Sequence, residues 1–76
     1  MVHMKNIKQN GSWVSFDAYI NGDEKRHFTM TVDLNDSSNS MASIEKDCYT
    51  SEALLKIFWT FAEDGKLPNE LVAMSY

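Results

Sequence analysis

Alternating apolar and polar residues predict two β-strands in the first half of the chain. The even positions of residues 12–20 are apolar, and the odd positions between them are polar or amphipathic. Residues 26–34 repeat this period of two, again with the apolar residues at even positions. Such alternation is typical of a strand that buries one face. Because Asn21 and Gly22 form a turn signal between the two runs, we expect an antiparallel hairpin.

The loop length of this hairpin follows from keeping the apolar residues on one face. A slip of one residue would turn every apolar side chain to the opposite face, so even positions must pair with even positions. A three-residue loop would pair Phe16 with Phe28, and a five-residue loop would pair Phe16 with Met30. We favour the five-residue loop because residues 23–25 are all charged. A two-residue turn would need a β-bulge to keep the apolar residues of both strands on the same face.

A third strand and one helix are predicted in the second half. Residues 35–40 form a polar loop, and weaker alternation over residues 41–46 predicts a strand antiparallel to the second. Thr50 is a suitable N-cap, and Gly65 is suited to the left-handed end of a helix that runs to about Asp64. The predicted core face of this helix consists of Leu54, Leu55, Phe58, Phe61 and Ala62, with Ile57 and Trp59 at its margins and Thr60 in solvent.

These elements predict an α+β fold, a three-stranded antiparallel β-meander packed on one main α-helix in the order β-β-β-α. Pro68 predicts a short C-terminal helical turn over the last apolar residues. Residues 1–10 are expected to be a flexible or irregular N-terminal segment, and residues 1–76 are expected to form one small domain. A single helix covers only one face, so the outer face of the sheet is predicted to be open.

The charge distribution narrows the choice of partner. The net charge is −4, and residues 27–76 contain three lysines against eight carboxylates. An acidic domain lacks the electrostatic footprint of a nucleic-acid binder and is repelled by anionic membranes. We therefore expect a protein partner or a second copy of the chain, as in a homodimer. Cys48 is the only cysteine, so no internal disulfide forms and a cytoplasmic location is expected.

No catalytic, metal, cofactor or small-molecule site is predicted. Ser15, Asp17 and His27 share the predicted outer face, but a flat sheet supplies neither an oxyanion hole nor a water-excluding cleft. One cysteine and two distant histidines are too few for a zinc site. The acidic run that starts at Asp33 lacks the central glycine and the final carboxylate of a calcium loop.

Aromatic residues that exceed the capacity of a small core favour protein binding. The four phenylalanines fill the predicted core, which leaves Trp13, Tyr19, Trp59 and Tyr76 near the surface. We expect a small acidic interaction or regulatory module without catalytic activity, such as a phage or mobile-element accessory protein that inhibits a host enzyme. The alternative is a single-strand nucleic-acid binder that stacks bases on the open sheet face. The expected partner-binding residues are Trp13, Tyr19 and His27 on that face, and Glu52, Glu63 and Asp64 in the acidic half.

Overall fold

The structure, a computed structural model, describes residues 1–74, which form a five-stranded antiparallel sheet and one α-helix. The sheet order is β4-β3-β2-β1-β5, so β4 and β5 are its edges. Tyr76 lies outside the described residues. The elements are β1 (Val2–Asn10), β2 (Trp13–Ile20), β3 (His27–Asp33), β4 (Asp36–Ala42), α1 (Cys48–Asp64) and β5 (Leu71–Ala73).

The β2–β3 hairpin has the predicted register. Phe16 is paired with Met30, and the Ile20 N–H donates to the Arg26 carbonyl at 2.9 Å, which closes a loop over residues 21–25. Asn21 and Gly22 both have positive φ there, at 54° and 72°. The odd loop length keeps the even residues of both strands on the buried face, as the parity argument requires.

The three-stranded meander predicted from the sequence is wrong, because residues 1–10 are not an irregular segment but contain the inner strand β1. β1 pairs with β2 on one side and with β5 on the other, and Val2 and Met4 are fully buried. A β-bulge interrupts its alternation: Asn6 has a φ of 55°, and Asn6 and Ile7 together oppose Phe16. The bulge returns Ile7 to the core and hides the period of two from sequence inspection.

The last strand of the predicted meander is also misplaced. Residues 36–42 form β4, whereas the sequence pattern predicted a loop over residues 35–40 and a strand over 41–46. β4 pairs only with β3 among residues 1–74, for example Val32 with Ser40. β4 is an edge strand with mostly exposed side chains, so alternating apolar residues are not required in it. Its polar sequence therefore looks the same as that of a loop.

The helix begins at Cys48, with Asp47 rather than Thr50 as its N-cap. The Asp47 Oδ1 atom accepts hydrogen bonds from the backbone N–H groups of Tyr49 and Thr50, at 2.9 and 3.0 Å. The Asp47 N–H in turn donates to the Thr50 hydroxyl at 2.8 Å, which completes a reciprocal capping box. Gly65 ends the helix as predicted, with a φ of 70° and its N–H bonded to the Phe61 carbonyl.

The buried face of α1 is rotated from the predicted one. Thr60 is buried rather than exposed, whereas Leu55 is 60% exposed and Trp59 is 70% exposed. The helix packs against β1 and β5, strands that the sequence analysis did not place in the sheet. Small side chains above and below Ile57 let the helix approach these strands closely. The residues that face the core are Thr50, Ala53, Ile57 and Thr60.

The C-terminal helical turn predicted at Pro68 is wrong as well, because Leu71–Ala73 is the edge strand β5. It is antiparallel to β1 and brings Ala73 opposite Val2 in the core. The Ile7 N–H donates to the Asn69 carbonyl at 3.0 Å, which extends the contact beyond the strand. Within residues 1–74, α1 lacks the combination of length and hydropathy that a membrane-spanning helix needs.

The capping box predicts a measurable loss of stability when its acceptor is removed. Asp47→Ala leaves the first N–H groups of α1 without their acceptor, so the free energy of unfolding should fall by about 1 kcal/mol. Urea denaturation followed by circular dichroism measures this change. Glu45→Ala removes an exposed carboxylate just outside the helix and serves as the control; equal effects of the two substitutions would contradict the assigned cap.

Candidate functional site

An apolar groove of about 330 Å³ lies between α1 and the edge strand β5. Residues three and four positions apart share a face of a helix, so α1 presents one continuous stripe to the groove. β5 closes the opposite side, and within the described chain its outer edge has no strand partner. The groove, called here the α1–β5 groove, is lined by Glu52, Leu55, Lys56, Trp59, Val72, Ala73 and Met74.

Large apolar side chains of this groove are exposed to solvent. Leu55 and Trp59 are well exposed, and Met74 is exposed just after β5. Val72 is paired with His3, so strand alternation puts its side chain on the outer face of the sheet. Scattered exposed apolar residues are ordinary on proteins, but a contiguous group beside a groove is typical of a binding surface. Tryptophan in particular is enriched among residues that dominate binding energy. The groove is therefore the strongest candidate for a functional site in residues 1–74.

Two opposite charges lie within the groove. The Glu52 side chain is only 17% exposed, and its Oε2 atom has no hydrogen-bond donor among residues 1–74. The closest cation is the Met1 amine, 3.9 Å from Oε2. Lys56, one helical turn further on, forms no ion pair within the described chain. A buried acceptor without a hydrogen-bond donor is uncommon, and the Met1 amine is the only opposite charge within 4 Å of this atom among residues 1–74.

The two edges of the sheet differ in chemistry. At the β4 edge, the Ser38 hydroxyl and N–H both donate to Asp36, which holds the pKa of that carboxyl below its usual range. Asn39 donates to Asp33 nearby, at 3.3 Å. Charged and polar edges discourage pairing with other strands. β5 carries no charged residue over Leu71–Ala73, so this protection is absent there.

The outer sheet face carries a second cluster, centred on two of the predicted binding residues. The Tyr19 and His27 rings are stacked with centroids 4.9 Å apart, and the Lys5 Nζ atom lies 5.6 Å from the Tyr19 centroid. Asp17 accepts a hydrogen bond from the Asn6 side chain at 2.8 Å, and its Oδ1 atom lies 3.7 Å from His27 Nε2. The cluster is a small mixed-charge surface, and its residues Asn6 and Asp17 also line an open depression of about 240 Å³.

Trp13 and Ser15 do not join this cluster. Trp13 is paired with Asp33 at the far end of β2, about 20 Å along the strand from Tyr19. Ser15 is paired with Thr31 and lies about 13 Å along β2 from Tyr19, which is paired with His27. Ser15 therefore cannot act as a nucleophile beside His27. Among residues 1–74, no group of three His, Cys, Asp or Glu side chains is placed to hold a metal ion.

The predicted acidic residues separate into two places. Glu52 lines the groove, and Glu63 follows it by three helical turns on the same stripe, about 16 Å further along the axis. Asp64 is exposed and lies about a third of a turn away from that stripe. Sequence reasoning missed Leu55 and Met74 as surface residues. One signal was available in the sequence. The apolar stripe of the helix is wider than the area that one sheet face can bury, so some of its residues must be exposed.

Comparisons of the chain with protein-family models, with curated proteins and with solved structures find no match.

The position of the groove predicts that Trp59 is dispensable for folding. Trp59→Ser should change the free energy of unfolding by less than about 0.5 kcal/mol, because the side chain is mostly solvated. Ile57→Ala, two residues away on the buried face, should lower it by about 2–5 kcal/mol through loss of packing. Urea unfolding of both variants, at a concentration at which the unmodified chain is monomeric, measures the difference. Similar losses would mean that Trp59 belongs to the core and that the groove is misassigned.

Proposed function

We propose that this chain is a small protein-binding module that acts through the α1–β5 groove. The observation that carries the proposal is the joint exposure of Leu55 and Trp59 beside an unprotected sheet edge. The module works by association rather than by catalysis. The lone Cys48 and the acidic composition favour a cytoplasmic setting for it.

The shape and chemistry of the groove favour a protein as its ligand. An extended segment placed along β5 would form main-chain hydrogen bonds with the free edge, as in strand addition. Alternate side chains of that segment would face α1 and contact Leu55 and Trp59. A small polar molecule would find few hydrogen-bonding groups here, because Glu52 and Lys56 are the only charged residues among the part of residues 1–74 that lines the groove.

Photo-crosslinking from the groove tests this proposal. Replacing Leu55 with p-benzoylphenylalanine puts the reactive group at a side chain that is 60% exposed, so it should crosslink a bound protein in cells that produce the chain. The products are separated by mass and identified. Adding Trp59→Ser to the same chain should remove them, because the loss of one central aromatic anchor weakens an interface strongly.

The matched control is Met41 in β4, which is 62% exposed on the opposite edge of the sheet. The same photoreactive residue there should give no specific product. Equal products from positions 41 and 55, or products from position 55 that persist with Trp59→Ser, would contradict binding through the groove.

A second candidate function is single-strand nucleic-acid binding on the outer face. It is favoured by one observation: β1 brings Lys5 next to Tyr19, and Lys8, paired with Ser15, lies on the same face. Cations beside aromatic rings are what a base-stacking surface needs, although Asp17 offsets part of that charge.

Fluorescence anisotropy with labelled single-stranded oligonucleotides in low salt tests this candidate. Tyr19→Ala should weaken binding by about tenfold, since stacking on one aromatic ring is worth about 1–3 kcal/mol per base. Trp59→Ala, on the α1 side of the sheet and 70% exposed, is the control and should have little effect. Absence of binding by the unmodified protein would reject the candidate.

A further inference from the structure

We propose that the occupant of the α1–β5 groove is a second copy of this chain, joined by antiparallel pairing of the two β5 strands about a two-fold axis. The inference rests on the proposed function, because it names the partner of the same surface. Such a dimer would contain one continuous ten-stranded sheet, twice the five strands of each copy. The two α1 helices would lie side by side on one face of that sheet.

The free edges support this choice of occupant. β4 ends the sheet with Asp36, Ser38 and Asn39, whose side chains are exposed and polar, whereas β5 offers an uncharged edge flanked by Trp59. Uncharged edge strands in a protein that stays monomeric are normally covered or interrupted. A second β5 strand has the same length as this edge and would cover it, and each copy supplies that strand to the other.

The groove contains one negative and one positive side chain, so the grooves of two copies can pair opposite charges. A two-fold axis presents every residue of the interface to the same surface of the other copy. Glu52 and Lys56 lie four residues apart on antiparallel helices, so each Glu52 can approach the Lys56 of the other copy. The Glu52 carboxylate, which is 17% exposed and has the Met1 amine 3.9 Å from its Oε2 atom, would thereby gain a second cation. The Lys56 ammonium, which forms no ion pair among residues 1–74, would gain a carboxylate.

The overall acidity of the chain does not oppose this contact. The net charge is −4, but the residues among 1–74 that line the groove contain one carboxylate and one ammonium, and the Met1 amine adds a further positive charge 3.9 Å from that carboxylate. Exposed acidic residues such as Glu63 and Asp64 lie towards the end of α1, beyond that lining. Two acidic copies can therefore meet through a part of the surface that carries no excess of negative charge, where like-charge repulsion is weakest.

The spacing of the elements also fits. α1 packs over β1 and β5, and neighbouring strands are about 4.8 Å apart. If each helix axis lies above the line between β1 and β5, pairing of the two β5 strands places the helix axes about two strand spacings, or about 10 Å, apart. Helices in contact pack at about 8–10 Å. Leu55 and Trp59 would then fill the layer between the helices.

A charge-exchange experiment tests the second copy directly. The unmodified chain should sediment at twice its mass of 8.7 kDa, with a dissociation constant measured by analytical ultracentrifugation over a concentration series. Glu52→Lys alone and Lys56→Glu alone should each weaken the dimer by about tenfold or more, because each substitution enters the interface twice. An equimolar mixture of the two variants, and the double variant Glu52→Lys/Lys56→Glu, should regain the affinity of the unmodified chain.

Two controls separate a lost interface from a lost fold. Trp13→Ser, on the outer face, should leave the dimer intact, and Trp59→Ser should abolish it while the circular dichroism spectrum stays unchanged. A mixture of the two charge variants that associates no better than either alone would overturn the proposal.

A second pair of outcomes distinguishes this inference from the proposed function. If the chain is monomeric at every concentration while position 55 still crosslinks a different protein in a Trp59-dependent manner, the second copy is excluded and the protein-binding function stands. If the chain is monomeric and position 55 gives no product, both are overturned.

Discussion

Pairing of β1 with both of its neighbours is the interaction on which the other features of this protein depend. Val2 and Met4 supply the part of the core that lies under α1, and β1 is the only strand among residues 1–74 against which β5 pairs. The helix takes its orientation from packing on β1 and β5, so the exposure of Leu55 and Trp59 follows from the position of this strand. β1 also brings Lys5 to the Tyr19 ring on the opposite face. One strand therefore sets the geometry of both candidate surfaces.

The predicted fold was wrong, and only the features set by local chemistry were predicted correctly. The β2–β3 register followed from the parity of apolar positions, and Gly65 ended α1 because it tolerates positive φ. β1 was missed because the bulge at Asn6 breaks its alternation, and β4 was misplaced because an edge strand with exposed side chains has no apolar period. β5 has three residues, which is too short for a period of two to be distinguished from a helical turn after Pro68.

The candidate site was also predicted poorly, for a reason that lies in tertiary structure. Leu54, Leu55, Phe58 and Trp59 form an apolar band wider than one face, and the sequence alone does not determine which side of that band meets the sheet. Its orientation depended on the strands beneath it, two of which were not foreseen. Of the predicted binding residues, Glu52 lines the groove, and Tyr19 and His27 form the outer-face cluster. Trp13 and Asp64 belong to neither place, and Glu63 shares only the stripe of the helix that leads to the groove.

The two candidate surfaces are compatible because they lie on different parts of the same sheet. The groove lies between α1 and the β5 edge, whereas Tyr19 and His27 lie on the face of the sheet opposite α1. Pairing through β5 would therefore leave the outer face open and place two copies of its cluster on one continuous surface. A weak contact made twice on a rigid frame gains strength from effective concentration, without any new residue. Pairing of the unprotected β5 edges would then do more than stabilise the fold. It would turn the small mixed-charge cluster on the outer face into a bivalent binding surface.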